Sequence, residues 1–209
     1  MTQEQIIAKL EVLIAEIKQS EAPVSPPIFV AAKEEIPNRG SAPDAFLAEL
    51  TSWAKTAHPA IFAYNDQQDI YASLNAELGP YETELERRAV MCEALRVLGG
   101  FESSWDWTEG RDSTNPNEDS AANEEAGIFQ TSYDSIGFDP SLKVCMEKYN
   151  VHNAVQFIER SKSNHTFAFE YTARVLRWST NHHGPIKRQE IDAWVSREAV
   201  KEFETALKA

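Results

Sequence analysis

The chain has 209 residues, 42% hydrophobic and 25% charged, with 8 Gly, 10 Pro and 2 Cys. This composition excludes a disulfide-stapled miniprotein, a collagen-like rod and a wholly disordered chain, and the length suffices to bury a sizeable core. Lys plus Arg number 20 against 33 Asp plus Glu, a net charge of −13, so a phosphate backbone would be repelled across most of the surface, which argues against nucleic acid as a partner.

Residues 4–19 place Ile6, Ile7, Leu10, Leu13, Ile14 and Ile17 at three- and four-residue intervals, the stripe of an amphipathic helix forming an N-terminal unit over 1–20. Its apolar side should dock on the body of the protein or contact a partner such as a secretion-apparatus carrier. The segment has no basic n-region, unbroken apolar run or small-residue cleavage site, so synthesis in the cytoplasm without a signal peptide is expected. No stretch approaches the ~20 apolar residues of a membrane span. Residues 21–43 hold Pro23, Pro26, Pro27, Pro37, Pro43 and Gly40, and proline at that density predicts a linker.

The remainder, 44–209, reads as one mainly α domain. Ser41 and Asp44 resemble a capping arrangement ahead of a helix with Phe46, Leu47, Leu50 and Trp53 on its apolar side. Further helices are predicted at 67–78, closed by Gly79-Pro80, at 82–98, closed by Gly99-Gly100, and at 140–149, 151–162, 165–179 and 188–207. Cys92 and Cys145 lie in two of these helices, fit no CxxC pattern and are expected as buried thiols. Between 103 and 126 the periodicity stops. A loop of that length inside a compact domain is usually functional or disordered. Within it Trp105 and Trp107 suit either core packing or stacking on a sugar face, and one of them is expected in the core.

Glu102 follows a strongly apolar helix and stands beside Phe101, with Trp105 and Trp107 close behind. A carboxyl held against such surface loses hydration and its pKa rises. That suits a general acid, because protonating a glycosidic oxygen at neutral pH needs a carboxyl that has kept its proton. The loop adds Asp106, Glu109, Asp112, Glu118, Asp119, Glu124 and Glu125 against the single base Arg111. Crowded carboxylates raise one another's pKa values, and a second, ionised one can position water.

Gly100-Phe101-Glu102-Ser103-Ser104, followed after the loop by Ala126-Gly127-Ile128-Phe129-Gln130-Thr131-Ser132-Tyr133, resembles the Glu-Ser and Gly-Leu-Met-Gln signatures of the lysozyme superfamily, in particular goose-type lysozymes and soluble lytic transglycosylases. The resemblance covers residues 85–190 and implies a lysozyme-like helical domain in which Glu102 is the catalytic acid. It also implies that Gln130, with Ser132 and Tyr133 beside it, lines the sugar cleft. Tyr171, in Phe169-Glu170-Tyr171, resembles a tyrosine that reaches the cleft from a later helix. Asn181-His182-His183-Gly184-Pro185 stands where a Tyr-Asn-Ala-Gly motif follows in the family, which places Asn181 and His182 at the cleft. Ile128-Phe129 replaces Leu-Met, a tolerable apolar exchange. Ser132 stands where goose-type enzymes carry a carboxylate, so a second carboxylate must come from elsewhere, with Asp112 ranked first and Glu125 next.

The implied activity is hydrolysis of the β-1,4 bond between N-acetylmuramic acid and N-acetylglucosamine in the peptidoglycan glycan strand. That substrate implies action in the periplasm or outside the cell after non-classical export, as an antibacterial effector or lysis protein, with a cognate inhibitor as a partner. A lytic transglycosylase, a chitinase or chitosanase, and a noncatalytic wall-binding module remain as alternatives. No cofactor is required. Calcium competes at Asp112, Asn115, Asn117 and Asp119, although the EF-hand's Gly and closing Glu are missing. Zinc at His182 and His183 lacks a matching ligand motif.

Overall fold

The computed structural model describes residues 5–7, 9, 10, 27–64, 68–111, 120–178 and 184–209. The protein is mainly helical. Among the described residues no strand forms, only isolated antiparallel bridges at Ile36/Gly40 and Ala126/Thr131. The helices are α1 (Asp44–Thr56), α2 (Ile70–Ser73), α3 (Asn75–Leu78), α4 (Glu84–Ser103), α5 (Pro140–Lys148), α6 (Ala154–Ser163), α7 (His165–Trp178), α8 (Gly184–Lys187) and α9 (Arg197–Lys208). No helix among the described residues is long and apolar enough to cross a membrane.

α4 is the axis of the fold. It starts with a capping box, in which the Glu86 amide donates to Thr83 Oγ1 at 3.2 Å while Glu86 Oε2 accepts the Thr83 amide at 2.7 Å, satisfying donors that a helix start leaves orphaned. Every side chain from Ala89 to Leu98 is buried, with α9 packed along it and α1 and α2 against it. α4 does not close at Gly99-Gly100. It runs on to Ser103, and the chain turns at Ser104 and Trp105, both left-handed at φ 55° and 62°. The two glycines are there for close approach: a Cβ on Gly100 would stand 2.6 Å from Trp105 Cζ2. The Trp105 indole folds back over this turn and donates Nε1–H to the Arg96 carbonyl at 3.0 Å.

α7 joins two apolar clusters. Ala168, Phe169, Ala173 and Leu176 face the large core built on α1 and α4. Phe167, Tyr171 and Val175, spaced by one helical turn, face a smaller core with Leu142, Cys145, Met146, Val151 and Phe157. Cys92 and Cys145 are free and buried, one in each core.

The Pro-rich stretch is not a linker over its second half. Ala31, Ala32, Ile36 and Ala42 are buried, and the Phe29 ring lies 5.3 Å from that of Phe203 in α9. The Glu202 carboxylate accepts the backbone N–H groups of Val30, Ala31 and Ala32 at 2.9–3.1 Å, so the donors that lack a helix or ladder find a side chain instead. The Ser41/Asp44 cap does not form: Pro43 is the N-cap of α1, and Asp44 pairs with Lys33 at 2.7 Å. Ile6, Ile7 and Leu10 are exposed, and Leu13, Ile14 and Ile17 lie outside the described residues.

The expected helix over 188–207 is broken. Its middle is the 3-10 turn Asp192–Trp194, and α9 restarts from Ser196, whose hydroxyl accepts the Ala199 amide. A buried ion pair explains the break. Glu93 and Arg96 meet at 2.7 Å inside the core and draw on the backbone, Arg96 donating to the Trp194 carbonyl at 3.0 Å and Ser196 N donating to Glu93 at 2.8 Å. A continuous helix would withhold those groups.

Candidate active site

The last turn of α4 delivers Glu102 into a cleft of about 450 Å³. The turn Gly127–Gln130 brings Gln130 to the same cleft, followed by Thr131 and Ser132. Gln130 N donates to the Gly127 carbonyl at 3.1 Å, and the turn's base closes with Ala126 N donating to the Thr131 carbonyl at 3.0 Å. Its tip residues, Ile128 and Phe129, are buried and wedge against Gly99, where a Cβ would meet Phe129 Cε1 at 3.4 Å. Gly127 has φ +72°, and a Cβ there would stand 2.7 Å from the Ser161 carbonyl oxygen, so both conformation and space require glycine. Ser103, next to Glu102, donates its hydroxyl to the Ile128 carbonyl at 2.9 Å. The end of α4 and the turn are therefore tied directly, and the two segments that carry the family resemblance meet in one cleft.

Glu102 is half-buried. Burial, reinforced by the nearby Glu125 carboxylate, pushes its carboxyl up to about 8, against the opposing pull of Arg188 and Arg39. At neutral pH it holds its proton. Glu125 is exposed at the cleft edge, beside Gln130 and Ser132. Gln130 lies at φ 45° and donates Nε2–H to the Gly127 carbonyl at 2.8 Å, which fixes its amide while leaving hydrogen-bonding capacity for a ligand. Val175, Gly184, Pro185 and Arg188 also line the cleft. The Arg188 guanidinium forks onto the Glu190 carboxylate through two contacts of 2.8 Å.

Of the residues singled out in the sequence, Glu102, Glu125, Gln130 and Ser132 line the cleft together. Tyr171 and Tyr133 do not. Tyr171 is buried in the smaller core, its ring 4.8 Å from that of Phe157, and its hydroxyl donates to the Ser132 carbonyl at 3.5 Å. It buttresses the wall from behind, because its position on α7 repeats that of Phe167 and Val175 on the face turned to that core. Tyr133 packs on Phe157 at the edge of the same core. Asp112, Asn181 and His182 lie outside the described residues, as do the calcium candidates Asn115, Asn117 and Asp119 and the other zinc candidate, His183. Among the described residues no three His, Cys, Asp or Glu side chains are placed to hold a metal ion.

Neither tryptophan of the loop lines the cleft. Trp105 lies under the end of α4. Trp107 stacks on His165 with centroids 3.6 Å apart and planes 4° from parallel, and packs edge-on to Phe169. Sequence reasoning missed Asp134 and Arg188, both in the cleft wall. Asp134 had a signal: it follows Ser132 by two residues, close to where the family places a carboxylate. Arg188 had none, since only the tertiary fold brings it opposite Glu102. No family model, no curated protein and no solved structure matches the chain.

Proposed function

We propose that this protein is a lysozyme-like peptidoglycan hydrolase, a muramidase cleaving the β-1,4 bond between N-acetylmuramic acid and N-acetylglucosamine with Glu102 as general acid. The observation that carries the reading is a half-buried glutamate at the end of a buried helix, in a cleft shared with Gln130 and a second carboxylate, where burial pushes its carboxyl up to about 8. A glycosidic oxygen is a poor leaving group until protonated, and an ordinary solvated Glu is ionised at neutral pH and cannot supply the proton. Gln130 and Ser132 offer amide and hydroxyl groups to the sugar's acetamido and hydroxyl substituents. Such an enzyme works in the periplasm or outside the cell. A producer exposed to it needs protection, which an inhibitor protein plugging the cleft would give.

Purified peptidoglycan incubated with the parent protein and with Glu102→Gln, followed by mass spectrometry of the soluble fragments, tests the reading. Fragments with reducing N-acetylmuramic acid ends, lost in Glu102→Gln, are expected. Anhydro ends would mark a lytic transglycosylase. Digestion of chitosan in preference to peptidoglycan would reassign the substrate. Full biological effect from Glu102→Gln would leave only a wall-binding role.

A further inference from the structure

We propose that Asp134 is the second catalytic carboxylate, taking a proton from the water that attacks the anomeric carbon; this rests on the glycosidase reading above. Asp134 lines the same cleft as Glu102 and is held in place by its own surroundings. Its backbone N–H donates to the Ala122 carbonyl at 2.9 Å. Ser132 Oγ donates to its Oδ1 at 2.6 Å and stands 3.4 Å from Ser135 Oγ. This anchors one carboxylate oxygen, while Oδ2 has no protein donor among the described residues. An oxygen placed in this way can accept a proton from water.

Glu125 is suited to a different task. Its charge acts directly on Glu102 and helps keep that carboxyl protonated. Asp134 lies beyond the base of the turn, past the Ala126/Thr131 pair. Inversion requires water to fit between base and sugar, with the two carboxyls ~6.5–9.5 Å apart, and this is the separation that the assignment of Asp134 predicts.

The step balances as follows. Glu102 gives its proton to the glycosidic oxygen as the C1–O bond breaks. The water oxygen bonds to C1 from the opposite face, and Asp134 takes the proton that this water loses. The products are an alcohol and a hemiacetal of inverted configuration, and solvent returns the proton from Asp134 to Glu102.

The experiment compares Asp134→Ala and Asp134→Asn with Glu102→Gln on peptidoglycan, with and without azide, and follows the first-formed anomer by NMR. Asn keeps an acceptor for Ser132, so it reports on the charge should the Ala variant unfold. The expected result is a rate loss of about 10²–10⁴-fold in both Asp134 variants with an unchanged melting temperature. Azide, a nucleophile that needs no base, should restore Asp134→Ala and yield a glycosyl azide, and the parent should release the α-anomer first. Asp134 variants within threefold of the parent while Glu102→Gln is inactive, a β-anomer released first, or an inactive Asp134→Ala that azide does not rescue would each overturn the assignment and leave the role of Glu102 standing. Activity in Glu102→Gln equal to the parent's would instead overturn the underlying reading.

Discussion

At the scale of single residues, the proposed chemistry turns on where Glu102 holds its proton. A general acid works only while protonated, so activity should fall as pH rises through about 8. Glu125→Gln removes a charge that favours the protonated form, and the alkaline limb of the pH–rate profile should move to lower pH. Stability has the same origin. The folded pKa of Glu102 lies above its ordinary value of 4.5, so the native state holds more protons than the unfolded chain between those pH values. Stability must therefore fall as pH rises through that window. Glu102→Gln cannot ionise and should lose this decline, unfolding at a higher temperature than the parent at pH 9 and showing little gain at pH 4. An unchanged difference between the two proteins from pH 4 to 9 would contradict the burial argument.

At the scale of elements, the end of α4 and the turn Gly127–Gln130 are shaped by glycines that a sequence pattern misreads. Gly99-Gly100 looks like a helix stop, yet both are helical, because the Trp105 ring occupies the space that side chains would need. Alanine at position 100 would gain up to ~1 kcal/mol in helix propensity. Pushing a buried indole and Ile36 aside costs about 1–3 kcal/mol, so Gly100→Ala should be net destabilising in urea unfolding. Gly127→Ala meets both a left-handed φ and the Ser161 carbonyl. It should lose stability and, by displacing Gln130, lose activity under conditions in which the protein is still folded.

At the scale of the whole molecule, the segment 29–42 closes the body by crossing to α9 at the far end of the chain. Glu202 carries that closure through three backbone N–H groups. Glu202→Ala leaves them without their acceptor and should cost about 1–3 kcal/mol, while Glu202→Gln, which keeps one carbonyl oxygen, should cost less. Limited proteolysis should then cut near residue 30 faster in the Ala variant. Asp69 has a comparable buried role, meeting Arg177 at 2.5 Å and Arg87 at 3.7 Å where α2 joins α7 and α4.

Local pattern was enough for the mainly helical class, for most of the helices and for the apolar surroundings of Glu102, because a 3.6-residue period and a carboxyl beside aromatic residues are written in adjacent positions. Pairing of Glu102 with Gln130 was legible only through the resemblance of two separated motifs, and what joins them physically is Ser103, reaching from α4 to the Ile128 carbonyl. Three features were decided by the fold alone: the retreat of Tyr171 into a second core, the packing of the Pro-rich stretch onto α9, and the arrival of Arg188 in the cleft. Each depends on contacts between residues far apart in the chain, where burial and hydrogen-bond satisfaction override local propensity.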